Sequence, residues 1–261
     1  MGNDLNPSRP LRAIVRNPSR RIAEGEVTHI ERVPVDPETA RVQHREYLSV
    51  LERLGLTLIF APEAEEYPDG LFVEDTLVMV GGHAIVTRPG AASRRGETTT
   101  ITDVVRALGV PMSTITRGTV DGGDVLVVRD HVFIGLTTRT TQEAIEQFAD
   151  IVRPLSFTTV AVEVPGCLHL KSAITSLPDG TLIGVDGWYD PAPFASAGFT
   201  VHPADEPSGG DVLWLDDTVV LPSDAPDTGR RITAMGFAVV HVDVSELQKI
   251  EAGVTCMSVL L

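Results

Sequence analysis

The chain has 261 residues, is 43% hydrophobic and carries a formal charge of -15. That acidity speaks against nucleic acid as a partner and suits a cationic ligand in a focused acidic cleft, although plain solubility is the simpler account of net charge. Two cysteines cannot build a disulfide framework, so a reducing cytoplasm is expected, and no apolar run is long enough to span a membrane.

From the N-terminus, "MGNDLNPSRP" has no hydrophobic signal region and reads as a flexible leader over residues 1–10. A single domain is expected over residues 11–261, because no composition break marks a linker. "RAIVRN" reads as a first strand. "PETARVQHREYLSVLERLG" reads as a helix with Tyr47, Leu48, Leu51 and Leu54 on one face, closing at Gly55, and "LTLIF" follows as a strand.

Four hairpin signatures come next: "EDTLVMVGGHAIVTRPG" from Glu74, "GDVLVVRDHVFIGLTTR" from Gly123, "KSAITSLPDGTLIGVDG" from Lys171 and "GDVLWLDDTVVLPSDAP" from Gly210. Their starts lie 49, 48 and 39 residues apart, the mark of a repeat architecture such as a propeller or solenoid. Helical segments follow them: "RRGETTTITDVVRALG", "TTQEAIEQFADIVRPL", a short "PAPFASAG" and "PDTGRRITAMGF". Strands such as "TVAVEV" and "FAVVHV" then complete a strand–strand–helix–strand unit. The last strand is expected to carry Cys256, and a ring is closed if both chain ends pair in one unit, which also hides the sheet edges.

The hairpin starts are polar. They bring Asp69, Glu74 and Asp75, then Asp121 and Asp124, then His169 and Lys171, then Asp211. Glu74 and Asp75, as neighbours on a strand, would face opposite ways, one toward a ligand and the other tying the ring together. Arg88 and Arg139 lie just beyond the second strand of successive units, where two guanidinium groups can hold one carboxylate. Each has a plainer reading: turn residues for the acids, a core position for His169 and Cys256, solvated faces for Lys171 and the arginines. The sequence has no GxGxxG, P-loop, HExxH or CxxC. A cysteine, a histidine, several acids and two arginines point to thiol chemistry on a cationic substrate.

Taken together, "LFVED", "IVTRPG", "RRGET", "DGGD", "LHLKS" and "TCMSVL" resemble the dimethylarginine dimethylaminohydrolases, a family of the pentein or guanidino-group-modifying superfamily. The resemblance covers nearly the whole chain from "RAIVRNPS". It implies an α/β fold, a five-bladed α/β propeller of ββαβ units. It implies hydrolysis of Nω-methylated arginines to citrulline, with Cys256 as nucleophile, His169 as general acid and base, and Asp121 orienting His169. Asp75 would bind the guanidinium with Glu74 beside it, and Arg88 and Arg139 the α-carboxylate. Asp69 would meet the α-ammonium. The loop "RRIAEGEVTH" would be a lid, Glu26 lending a backbone contact, and Ile250 would lend its carbonyl. No metal or organic cofactor is implied, and the protein would be a monomer or homodimer. Asp121 stands where some relatives have Glu, Asp211 where Asn is expected, and Glu251 where Asp is commoner. These departures leave arginine deimination, or guanidine hydrolysis of another kind, as the alternative. An inactive arginine-binding protein and a redox-sensing thiol protein that uses Cys167 are the remaining readings.

Overall fold

A computed structural model of the chain describes residues 11–261; the expected leader, residues 1–10, lies outside the described residues. Strand β1 (Arg12–Val15) leads through a loop to helix α1 (Pro37–Arg53) and strand β2 (Thr57–Phe60). Asp36 starts α1: its carboxylate accepts from the N–H groups of Glu38 and Thr39, and Pro37 occupies the first turn, where its missing N–H costs nothing. Ala40, Tyr47, Leu48 and Leu51 form the buried face of α1.

Four blades follow, each a hairpin whose second strand pairs in parallel with a third strand beyond a helix. The first is β3 (Leu77–Val80), β4 (His83–Val86), α2 (Thr98–Ala107) and β5 (Met112–Thr114). The second is β6 (Val125–Val128), β7 (His131–Leu136), α3 (Gln142–Val152) and β8 (Thr158–Glu163). The third begins with a helical turn, α4 (Leu170–Ala173), then β9 (Ile174–Ser176), β10 (Leu182–Gly184), α5 (Ala192–Ser196) and β11 (Val201–Pro203). The fourth is β12 (Leu213–Leu215), β13 (Thr218–Pro222), α6 (Pro226–Ala234) and β14 (Ala238–Val242). After a short α7 (Ser245–Gln248), β15 (Ser258–Leu260) returns to pair antiparallel with β1, which pairs in parallel with β2. The fifth blade is therefore built from both chain ends, as the sequence pattern allowed, and there are five three-stranded sheets among the described residues.

Three expectations need correction. Cys256 does not lie in the last strand; it sits in the turn before β15. His169 and Lys171 do not lie on a strand: His169 precedes α4 and Lys171 is inside it. Glu74 and Asp75 lie in a 3-10 turn (Val73–Thr76), so strand alternation does not govern them. The common cause is that blades enter their first strand through a tight turn. Val73–Thr76, Gly122–Asp124 and Pro207–Gly210 are 3-10 turns, α4 is a single helical turn, and Cys256 occupies the fifth turn. Apolar periodicity does not register such turns, because three or four residues are too few to carry a period.

These entry turns meet one another. The Val73–Thr76 turn touches Gly122–Asp124, α4 touches both Gly122–Asp124 and Pro207–Gly210, and β15 touches Val73–Thr76. Gly122 permits one of these contacts, since a Cβ there would lie 2.0 Å from the Glu74 carbonyl oxygen. At Gly123 a Cβ would lie 2.7 Å from His169 Nδ1. "DGGD" is thus a close-approach motif as well as a turn.

Candidate active site

The turns deliver their polar side chains to the ring's centre. Cys256, His169, Asp75, Asp69, Glu26, Arg139 and Ile250 all line one cavity, together with Arg94, Phe72, Leu168, Glu251 and Ala252. The cavity holds about 20 Å³, room for about one water.

His169 is buried between two carboxylates. Its Nε2 lies 3.1 Å from Asp121 Oδ2, and its Nδ1 is 3.9 Å from Asp75 Oδ1. The shorter aspartate at 121 therefore still reaches the ring. Asp121 is itself held by the Gly90 N–H (2.8 Å), and Arg139 lies 3.7 Å from its Oδ2. Burial alone would strip His169 of its proton. The charge of Asp75, the hydrogen bond to Asp121 and the charges of Asp124 and Asp121 together outweigh this and push the imidazole up to about 9. Burial likewise works against the Asp75 carboxylate, but His169 and Arg94 together hold it down at about 2.

The Cys256 thiol is buried and accepts the Gly253 N–H at 3.4 Å, while its carbonyl accepts the Glu74 N–H at 3.2 Å. Burial, then Asp211, Glu74 and Asp75, push its ionisation well above the ordinary thiol range. The resting pair is a neutral thiol facing the same cavity as an imidazolium.

Arg88 does not line the cavity. Its guanidinium donates to the Gly118 carbonyl (2.6 Å) and its backbone bridges Val120, so the expected Arg88–Arg139 pair is not formed. Arg94, in the 3-10 turn ahead of α2, is the second cavity arginine. It donates to Asp75 Oδ2 (2.5 Å), to Glu97 and to the carbonyls of Asp69 and Phe72. Sequence reasoning passed over it because "RRGET" reads as the polar start of a helix. The available signal was the two adjacent arginines ahead of an acid. Glu74 also stays outside the cavity lining. It takes the Lys171 ammonium at 2.5 Å and the Thr255 hydroxyl at 3.0 Å, so Lys171 is a buried acid's partner rather than a solvated side chain. Asp124 closes its own turn, accepting from Thr137, Thr140 and the Leu170 N–H.

The segment around Glu26 packs beside this centre. The Glu26 N–H donates to Asp69 (3.1 Å) and its carboxylate accepts from Ser93 (2.7 Å). Glu251, in the left-handed region at φ 63, accepts from the N–H groups of Thr28 (2.8 Å), His29 (2.6 Å) and Ile30 (3.1 Å). Cys167 is a free thiol in the third blade's core; it donates to the His169 carbonyl (3.1 Å), and burial pushes it up to about 12.

The ring of five ββαβ blades, with a cysteine and a histidine on one central cavity, defines the pentein class of α/β propellers. A family model described as N,N dimethylarginine dimethylhydrolase, eukaryotic, matches residues 30–176. The chain is 40% identical to an N(G),N(G)-dimethylarginine dimethylaminohydrolase of Streptomyces coelicolor over 252 residues, 96% of each chain. It is 32% identical to that of Pseudomonas aeruginosa, over 94% of this chain and 97% of that one. A crystal structure of the Pseudomonas protein, a cysteine-to-serine mutant complexed with citrulline, superimposes with a TM-score of 0.88 at 31% identity, covering 96% and 98% of the two chains. The chain belongs to the dimethylarginine dimethylaminohydrolase family. The N-terminal domain of a cyanobacterial arginine dihydrolase shares the fold at TM-score 0.86 and 14% identity.

Proposed function

We propose that this chain hydrolyses Nω-methylated L-arginines, both asymmetric dimethylarginine and monomethylarginine, to L-citrulline and dimethylamine or methylamine. The carrying observation is that Cys256 and His169 share one cavity with the carboxylates of Asp69 and Asp75. A guanidinium is a poor electrophile until it is fixed. Asp75 holds it, dividing its charge between Arg94 and the substrate cation, while Asp69 meets the α-ammonium and Arg139 meets the α-carboxylate. Glu26 and Ile250 line the same space and offer backbone groups, and Glu74 braces the wall through Lys171 and Thr255.

The incoming cation offsets the carboxylates that hold Cys256 protonated, so on binding the thiol gives its proton to solvent. The thiolate attacks the guanidinium carbon and a C–S bond forms. The His169 imidazolium gives its proton to the departing amine as the C–N bond breaks, leaving an S-alkylthiouronium. Neutral His169, steadied by Asp121, then takes a proton from water. The resulting hydroxide forms the C–O bond, and as the C–S bond breaks the adduct's hydroxyl proton passes to the sulfur, leaving the ureido product and the free thiol. None of these steps calls on a cofactor. The enzyme acts as a single domain over residues 11–261, as a monomer or homodimer, on a small cationic amino acid rather than nucleic acid or membrane. Its two cysteines suit a reducing cytoplasm, and no helix among the described residues is long and apolar enough to cross a membrane.

The test is turnover of asymmetric dimethylarginine, monomethylarginine and arginine side by side. Citrulline is expected from the methylated substrates, with loss of at least about a thousandfold in Cys256→Ser. Citrulline from arginine alone would replace this reading with deimination, and full turnover by Cys256→Ser would remove it.

A further inference from the structure

Asp211 is buried at the ring's centre, at the entry to the fourth blade, but it does not line the cavity. Its Oδ1 accepts the Thr255 N–H at 3.1 Å, and its Oδ2 lies 3.4 Å from Thr255 Oγ1. The same carboxylate packs on Gly253, where a Cβ would lie 1.7 Å from Oδ2. No side chain other than hydrogen fits at 253 while Asp211 stands there. Gly253 in turn donates its N–H to Cys256 Sγ at 3.4 Å. One carboxylate thus touches the turn at two points ahead of the nucleophile, Gly253 and Thr255.

We propose that Asp211 is a positioning residue, which clamps the Gly253–Cys256 turn at Gly253 and Thr255 and sets a second negative charge beside it. This deepens the function proposed above and rests on it. The charge is only partly countered. Glu74 shares the Thr255 hydroxyl with Asp211, and Lys171 sits on Glu74 Oε1 at 2.5 Å, one ammonium for two carboxylates. Tyr47 from α1, Cys167 and Cys256 are the other titratable groups within its field. Burial, and then Glu74, push Asp211 up to about 7, so its charge changes near neutrality. When ionised it opposes the Cys256 thiolate. When protonated it keeps the contact with Thr255 but drops the opposition.

The test uses Asp211→Asn, which keeps an acceptor oxygen and removes the charge, and Asp211→Ala, which removes the clamp. The rate of Cys256 alkylation by iodoacetamide is followed against pH by peptide mass spectrometry. Its midpoint is expected to fall by about one pH unit or more in Asp211→Asn. In Asp211→Ala, kcat for asymmetric dimethylarginine is expected to drop about 10- to 100-fold with KM within about threefold. An Asp211→Asn midpoint equal to that of the parent protein, or an Asp211→Ala variant with undiminished kcat, overturns the proposal. If the parent protein turns over no methylated arginine, the proposed function fails, while the alkylation midpoint still reads Asp211. If Asp211→Ala does not fold, the Asn variant decides alone.

Discussion

His169 carries its proton at neutral pH because Asp75 and Asp121 flank it in a dry site. That has a thermodynamic counterpart. The imidazole is raised from an ordinary 6.5 to about 9 in the folded chain. Its contribution to stability is fully present below about 6.5 and is lost as pH rises through 9. The stability gap between the parent protein and His169→Asn, measured by urea unfolding, should be largest near pH 6, on the order of a few kcal/mol, and vanish by about pH 10. A gap that widened with pH would show that the imidazole is neutral in the fold. Asp75 and Arg94 form the other costly pair. Replacing Asp75 by Ala leaves the Arg94 guanidinium buried with Glu97 as its one remaining carboxylate hydrogen-bond partner, and should cost about 3–5 kcal/mol in the same assay. At this scale the sequence was informative where polarity broke an apolar pattern, as at Asp75, Asp121 and His169. It was uninformative at Arg94. An arginine ahead of a helix looks solvated until tertiary contacts with Asp75 and Phe72 bury it.

Elements decide which side chains arrive together. The hairpins were legible because antiparallel strands joined by Gly- and Asp-rich turns leave a local signature. The 3-10 and helical entry turns were not, since three or four residues carry no period, and reading them as strands sent Glu74 and Asp75 to opposite faces. The segment around Glu26 was singled out only by the family resemblance, and its fastening was not legible: Glu251 lies more than two hundred residues from Thr28, His29 and Ile30 in the chain. That carboxylate ties three backbone N–H groups beside a cavity of about 20 Å³, too small for an amino acid, so the proposed function requires this segment to move. Removing the tie in Glu251→Ala should raise the rate of tryptic cleavage at Arg21 and Arg32 several-fold, and saturating citrulline should slow it again. Cleavage at the parent rate would mean that Glu26 and Asp69 alone hold the segment.

Across the whole molecule, the repeat spacing read from the sequence pointed to a ring without fixing its blade count. The missing fifth blade is divided between residues 12–60 and 258–260, so no single stretch of chain spells it out. Pairing Ala13 with Leu260 and Val15 with Ser258 gives every blade a neighbour on each side and sets the Cys256 turn against the Val73–Thr76 turn. These contacts span most of the chain, which places ring closure among the slower folding events.

The Leu261 N–H donates to the Arg12 carbonyl at 2.8 Å, so the two ends of the described chain already touch. A short Gly-Ser bridge from Leu261 to Leu11, with new termini cut at the exposed Asp216–Asp217 hairpin tip, should give a circular permutant that folds and keeps its turnover. Loss of activity in a folded permutant would mean that native connectivity itself tensions the thiol. Retained activity would make the sulfur's place in the order of synthesis an incidental fact, free to vary while its spatial address stays fixed.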